Sequence, residues 1–211
     1  MRITLVTLGT VVCLLLRGSG SLADVGKWTR SDLASTAKFD VVYTLAPKGG
    51  SKETRTFRVE VSGNRARLDL EDPAMGSIRY VVDGKSAFLL MPASGTAQRM
   101  ALRGGIDEAL ALAFAQVAAQ MHGAKRVGST ISSGRPADIY KNERSGTTIH
   151  VGRATGFRLP VRMETANEGG KSTLLVTGIR LGGTLPAERF TLPKGTRILE
   201  TSGPGNLPGI K

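Results

Sequence analysis

The stretch YVVDGKSAFLLMP, residues 80–92, restricts this chain more than any other. Asp83-Gly84 is a favoured hairpin turn, so Tyr80, Val81 and Val82 lead into a returning strand. Successive strand residues point to opposite faces, and a sheet with one wet face alternates apolar and polar side chains. Ala87, Phe88, Leu89, Leu90 and Met91 offer no polar face. A sheet that holds this strand must be covered on both sides here.

Strand periodicity runs through most of the chain. Residues 56–61 (TFRVEV) put Phe57, Val59 and Val61 on one face, with Arg58 and Glu60 on the other. After the turn Ser62-Gly63-Asn64, residues 65–70 (RARLDL) resume with Ala66, Leu68 and Leu70 inward. Further strands are expected at 38–45, 98–102, 124–131, 137–141, 147–151, 161–165 and 172–181, separated mostly by turns rich in Gly, Asn and Ser. Short strands at short intervals predict a mainly β fold: a curved antiparallel sheet curled into a barrel or sandwich.

One segment breaks the pattern. Residues 106–122 (IDEALALAFAQVAAQMH) follow Gly104-Gly105, carry Asp107 and Glu108 in the first turn, and end before Gly123. Acids at the start and glycine after the end are helix boundary signals. Leu110, Phe114, Val117 and Met121 form the main stripe, and alanines extend apolar character round most of the helix. Such a helix is buried, either as a core helix on one sheet face or as a lid over a cavity. A short helix is also expected around Ser31-Asp32-Leu33.

The first residues read as a secretory leader: Met1-Arg2, then an apolar run, then Ser21-Leu22-Ala23 as a cleavage site before Asp24. The run falls short of the roughly twenty residues a bilayer span requires. The expected organisation is a leader at 1–23, one domain at 24–200 and a loose Pro/Gly-rich tail at 201–211. The one cysteine, Cys13, lies in the leader, so the core is held without disulfides in an oxidising compartment, the periplasm. The net charge of +12 falls by two on removing Arg2 and Arg17. The basic residues stand singly along strands (Arg55, Arg58, Arg65, Arg67, Arg79) without stacking aromatics. Export and this scatter argue against nucleic acid and leave a solvated face, or attraction to anionic head groups or an acidic partner.

No catalytic or metal-binding constellation is apparent. His122 ends the helix and His150 alternates with Ile149 and Val151, which suits an outward strand position. There is no H-E-x-x-H, no G-x-S-x-G and no paired-cysteine spacing. The reading is a non-enzymatic protein without a cofactor.

The ordered set of features resembles the bacterial periplasmic lipoprotein carriers, LolA and LolB, and their looser relatives. Its marks are Asp83-Gly84-Lys85 before the apolar strand ending in Pro92, the long apolar helix, TGFRLPVRMET at 155–165, and Phe190, Leu192, Pro193 and Gly195 near the end. The resemblance covers residues 38–198. The carriers' arginine–proline pair has no counterpart where this chain reads Val61-Ser62-Gly63-Asn64-Arg65.

The resemblance implies a half-open barrel closed by a helical lid, receiving lipids or lipoprotein acyl chains and making transient contact with membrane or envelope proteins. Phe57, Val59, Leu68, Leu70, Tyr80, Val82, Phe88 and Leu90 would line the sheet side, with Leu110, Phe114, Val117 and Met121 as the lid. Sheltering an acyl chain of about sixteen carbons from water involves about 12 kcal/mol. A solid core would use the same residues. A second expectation is an envelope interaction or sensor module that binds a protein partner through its basic face, using Arg58 and Arg79.

Overall fold

A computed structural model describes residues 28–72, 76–100 and 105–200 of the chain. The expected leader and tail lie outside the described residues, as do the last two positions of the strand expected at 98–102. The described residues form one twelve-stranded sheet with two short helices. Its strands are β1 Thr36–Pro47, β2 Glu53–Ser62, β3 Arg65–Asp72, β4 Gly76–Val82, β5 Ala87–Met91 and β6 Thr96–Met100. After the helices come β7 Lys125–Ser132, β8 Arg135–Asn142, β9 Thr147–Gly152, β10 Pro160–Asn167, β11 Gly170–Leu181 and β12 Arg197–Leu199.

Every strand the alternation predicts is present, and β12 is an addition. The spatial order is β12-β6-β5-β4-β3-β2-β1-β11-β10-β9-β8-β7. Two meanders, β1 to β6 and β7 to β11, are sewn together where β1 pairs antiparallel with both β2 and β11. All pairings are antiparallel except β12 against β6, so the sheet is mixed. Its edge strands, β12 and β7, do not bond each other, and the curved sheet stays open. Register shifts in the β1–β11, β9–β10 and β7–β8 pairs mark bulges, which bend strands and increase twist.

The Asp83-Gly84 hairpin forms with a longer loop than two residues. The Asp83 carboxylate accepts the backbone N–H groups of Lys85 and Ser86, both at 2.8 Å. Gly84 takes φ +96°, which favours glycine, and a Cβ there would displace the Asn64 side-chain amide, 2.6 Å away.

The predicted helix is two helices, α1 Ile106–Ala113 and α2 Ala115–Met121, broken at Phe114. Phe114 sits at φ −117°, ψ 18°, outside helical geometry, while its carbonyl still accepts the Ala118 N–H at 3.0 Å. The break lets one apolar stripe follow a curved surface: α1 packs on β2, β3 and β4, and α2 on β8 and β9. The short helix expected near residue 32 is a 3-10 turn, Arg30–Asp32.

Candidate functional site: a doubly covered sheet

Cross-strand partners share a face, so the register assigns every lining residue. One row runs Phe39, Val59, Leu68, Tyr80, Leu89 across β1 to β5, and a second runs Ala37, Val61, Ala66, Val82, Ala87. A third holds Val41, Phe57, Leu70 and Ile78. These rows form the concave face under the helices. Val59, Leu68, Tyr80 and Val82 are buried there, and Phe57 and Leu70 are half-buried.

Phe88 and Leu90 do not join them. They pair with Val81 and Arg79, on the opposite face of the sheet. Their assignment to one lining with Tyr80 and Val82 is therefore corrected: in β5 the inward residues are Ala87 and Leu89. An all-apolar strand gives no alternation from which to read its phase, and only the pairing fixes it. Phe88 and Leu90 instead form a separate small cluster with Ala97, against which Leu192 packs.

On the concave side, Leu110, Phe114 and Val117 are fully buried and Met121 packs at the margin. Phe114 lies in an aromatic knot with Trp28 (ring centroids 5.8 Å apart) and Phe39 (6.2 Å), and Phe39 meets Phe157 edge-on at 5.3 Å. Phe39 was legible in the alternation of β1. Phe157 comes from the irregular segment before β10, which has no period to betray it.

Among the described residues, polar contacts hold the helical pair near its ends. The Arg30 backbone N–H donates to the Asp107 carboxylate at 2.6 Å. The Asn142 amide donates to the carbonyls of Gln120 (2.8 Å) and His122 (3.1 Å). Gly105 and Gly123, at φ +57° and +80°, flank the pair with open space around each.

The outer face is covered differently. A strap of residues 186–199 crosses it, beginning with a 3-10 turn, Ala187–Phe190, and ending in β12 beside β6. Arg189 grips Glu60 with two hydrogen bonds, Nε to Oε2 at 2.6 Å and Nη2 to Oε1 at 2.7 Å. Lys38 adds a 3.1 Å contact to the same carboxylate, which is 1% exposed. Burial pushes the Glu60 carboxyl up, but Arg189 and Lys38 together bring it below its ordinary value. Asp69, held at 2.7 Å by Arg67 and 2.6 Å by Arg79, is lowered against its burial in the same way. Phe190 is buried, and the Arg99 guanidinium stands 5.4 Å over the Phe88 ring. The strap side covers Phe88 and Leu90, whereas on the concave side Ala87 is buried, Leu89 half-buried and Met91 42% exposed, so the double cover expected for this strand is complete only at its start.

Two arginines expected to face a partner are already engaged: Arg58 with Asp40 at 3.2 Å and Arg79 with Asp69. Among the described residues no group of His, Cys, Asp or Glu is placed to hold a metal ion, and no helix is long and apolar enough to cross a membrane. His150 is half-buried, its Nδ1 3.1 Å from the Ser132 hydroxyl.

The sequence matches no protein-family model and no curated protein. Solved structures do match the fold. An uncharacterized conserved protein from Thermus thermophilus is 11% identical, with a TM-score of 0.53 over 87% of this chain and 99% of that one. A LolA superfamily protein from Nitrosomonas europaea is 14% identical, with a TM-score of 0.40 over 85% and 96%. MucB in the Pseudomonas aeruginosa MucA/MucB complex is 17% identical, with a TM-score of 0.44 over 79% of this chain and 59% of that one. At such identities the likeness concerns the fold alone.

Proposed function

We propose that this chain is an exported, non-enzymatic carrier that receives hydrocarbon chains, of lipids or of lipoprotein acyl groups, between the concave sheet face and the α1–α2 pair. The observation that carries this reading is the kind of cover. The sheet is left open by its hydrogen bonding, and its concave face is roofed by helices seated through aliphatic and aromatic side chains. Such contacts are non-directional, so an acyl chain can replace the helical stripe with little change in the kind of contact made. The polar ties near each end and the glycines flanking the pair are the parts a moving roof requires. Transfer across the periplasm is the role that follows from export and from a site with no bond to break.

The test is binding of a fluorescent acyl-chain probe to the delipidated protein, titrated at equilibrium and followed by stopped flow, with Asn142→Ala as the loosened-roof variant. Saturable binding, faster in Asn142→Ala than in the parent, is the expected result. A folded, delipidated protein that leaves the probe in solution at every concentration refutes the proposal.

A further inference from the structure

We infer that the pocket between the β7–β8 turn and the β11 bulge is a second site, which binds an oxyanion carried on a short hydrocarbon chain. The pocket opens to solvent, holds about 460 Å³ and is lined by the turn Ser133-Gly134-Arg135-Pro136, by Ala154 and by Val176 to Ile179. That volume falls in the range of small-molecule sites, roughly 300–1,000 Å³.

Two irregularities build it. In β11 an extra residue lies opposite β1, because Lys38 and Asp40 pair with Arg180 and Thr177, and Gly178 takes φ +62° there. Bulges of this kind re-aim side chains beside functional sites. In the β7–β8 turn, Ser133 and Gly134 both have positive φ, at 50° and 73°. Among the described residues Ser133 is the one non-glycine with positive φ. A turn with positive φ at both central residues favours Asn-Gly, Asp-Gly or Gly-Gly, so serine pays a conformational cost there. Its hydroxyl donates to the Val176 carbonyl at 3.4 Å, which draws the turn across to β11 and shapes the pocket.

The chemistry of the lining is mixed. Arg135 is half-buried and makes no ion pair among the described residues, so its guanidinium is available to an oxyanion. Thr177 supplies a hydroxyl-bearing side chain to the same lining, while the Ser133 hydroxyl proton is engaged by the Val176 carbonyl. The carboxylate nearest the bulge, Asp40, is paired with Arg58 and does not compete for Arg135. Ile179, Ala154 and Pro136 supply the apolar part of the wall, while Val176 behind them is fully buried in the core. One cation with an aliphatic wall fits a carboxylate or a phosphate monoester with a short tail better than a bare anion or a neutral chain. The α1–α2 pair is absent from its lining, so this site does not depend on the roof opening.

Titrations of the intact protein with decanoate, decyl phosphate, decanol and inorganic phosphate, followed by amide NMR, test the assignment. Decanoate or decyl phosphate should bind saturably and shift the amides of Gly134 and Gly178. Whichever binds more tightly separates a fatty-acid source from a phospholipid-type one. Decanol and inorganic phosphate should each bind at least about tenfold more weakly. Arg135→Gln should weaken the anionic amphiphile about tenfold. Ser133→Gly, which relieves the positive φ and keeps the turn, should weaken it several-fold without loss of fold. Equal binding of decanol and decanoate, unchanged affinity in folded Arg135→Gln, or amphiphile affinity that responds to Asn142→Ala instead, overturns the inference.

Discussion

The concave face is covered by two helices that touch it almost wholly through hydrocarbon, whereas the outer face is covered by a strap locked with a buried ion pair. Full burial of Leu110, Phe114 and Val117 is worth about 2 kcal/mol per side chain. The grip of Arg189 on Glu60 contributes far less net stability, because desolvating the carboxylate offsets most of the attraction. It contributes direction instead. A planar guanidinium on two carboxylate oxygens accepts one geometry, which sets the strap's position and so the pairing of β12 with β6. Hydrocarbon contact tolerates sliding and exchange. The stronger cover is thus the one without a fixed geometry, and the weaker one is fixed in place.

Four measurements bear on that contrast. The largest effect is expected for Phe114→Ala, which empties the centre of the aromatic knot. Stability in urea denaturation should fall by about 4 kcal/mol. A loss below about 1 kcal/mol would show that the knot is not what seats the helices, and the contrast between the covers would collapse.

Arg189→Ala comes next, leaving Glu60 buried with Lys38 alone. A cost of about 3 kcal/mol is expected, read as early hydrogen exchange in residues 96–98 and 197–199 while β2 and β3 stay protected. Uniform loss of protection across the sheet would mean that the strap is part of the core and not a separate cover. Third, Leu192→Ala should cost about 1–2 kcal/mol, since that side chain is only partly buried against Phe88 and Leu90. It should loosen the strap without altering acyl-probe binding.

The smallest effect is with acid. Glu60 and Asp69 have folded values below their unfolded ones, so the stability they add is complete above about pH 4.5 and is lost as the pH falls through the lowered values. Protection of β12 should therefore fade below about pH 4.5 before that of α1 and α2. In Arg189→Ala this acid dependence should flatten. Acid release of the helices ahead of the strap would reverse the comparison.

Much of this layout can be read without coordinates. Alternation located β1 to β3, whose apolar faces turn to the core, and it located β7 although Val127 and Ile131 there are exposed. Boundary residues located the helical segment, though not its break at Phe114, which follows from the curvature of the sheet beneath it. The strap was legible only as a recurring pattern of residues, Phe190 to Gly195, with no sign of where it lay. β12 is three residues long, and its pairing with β6 joins segments just over a hundred positions apart. The Glu60–Arg189 pair is likewise invisible locally, since an alternating glutamate in a strand reads as a solvated side chain.

The sequence by itself determined that this chain builds a sheet, that one apolar helical segment interrupts it, and that the strand at 87–91 needs apolar cover. These are local properties, set by side-chain period and turn chemistry. Which residues of that strand face which cover, and what the outer cover is, were decided only in three dimensions. A strand without polarity carries no phase of its own, and takes one from the partners that the whole chain brings beside it.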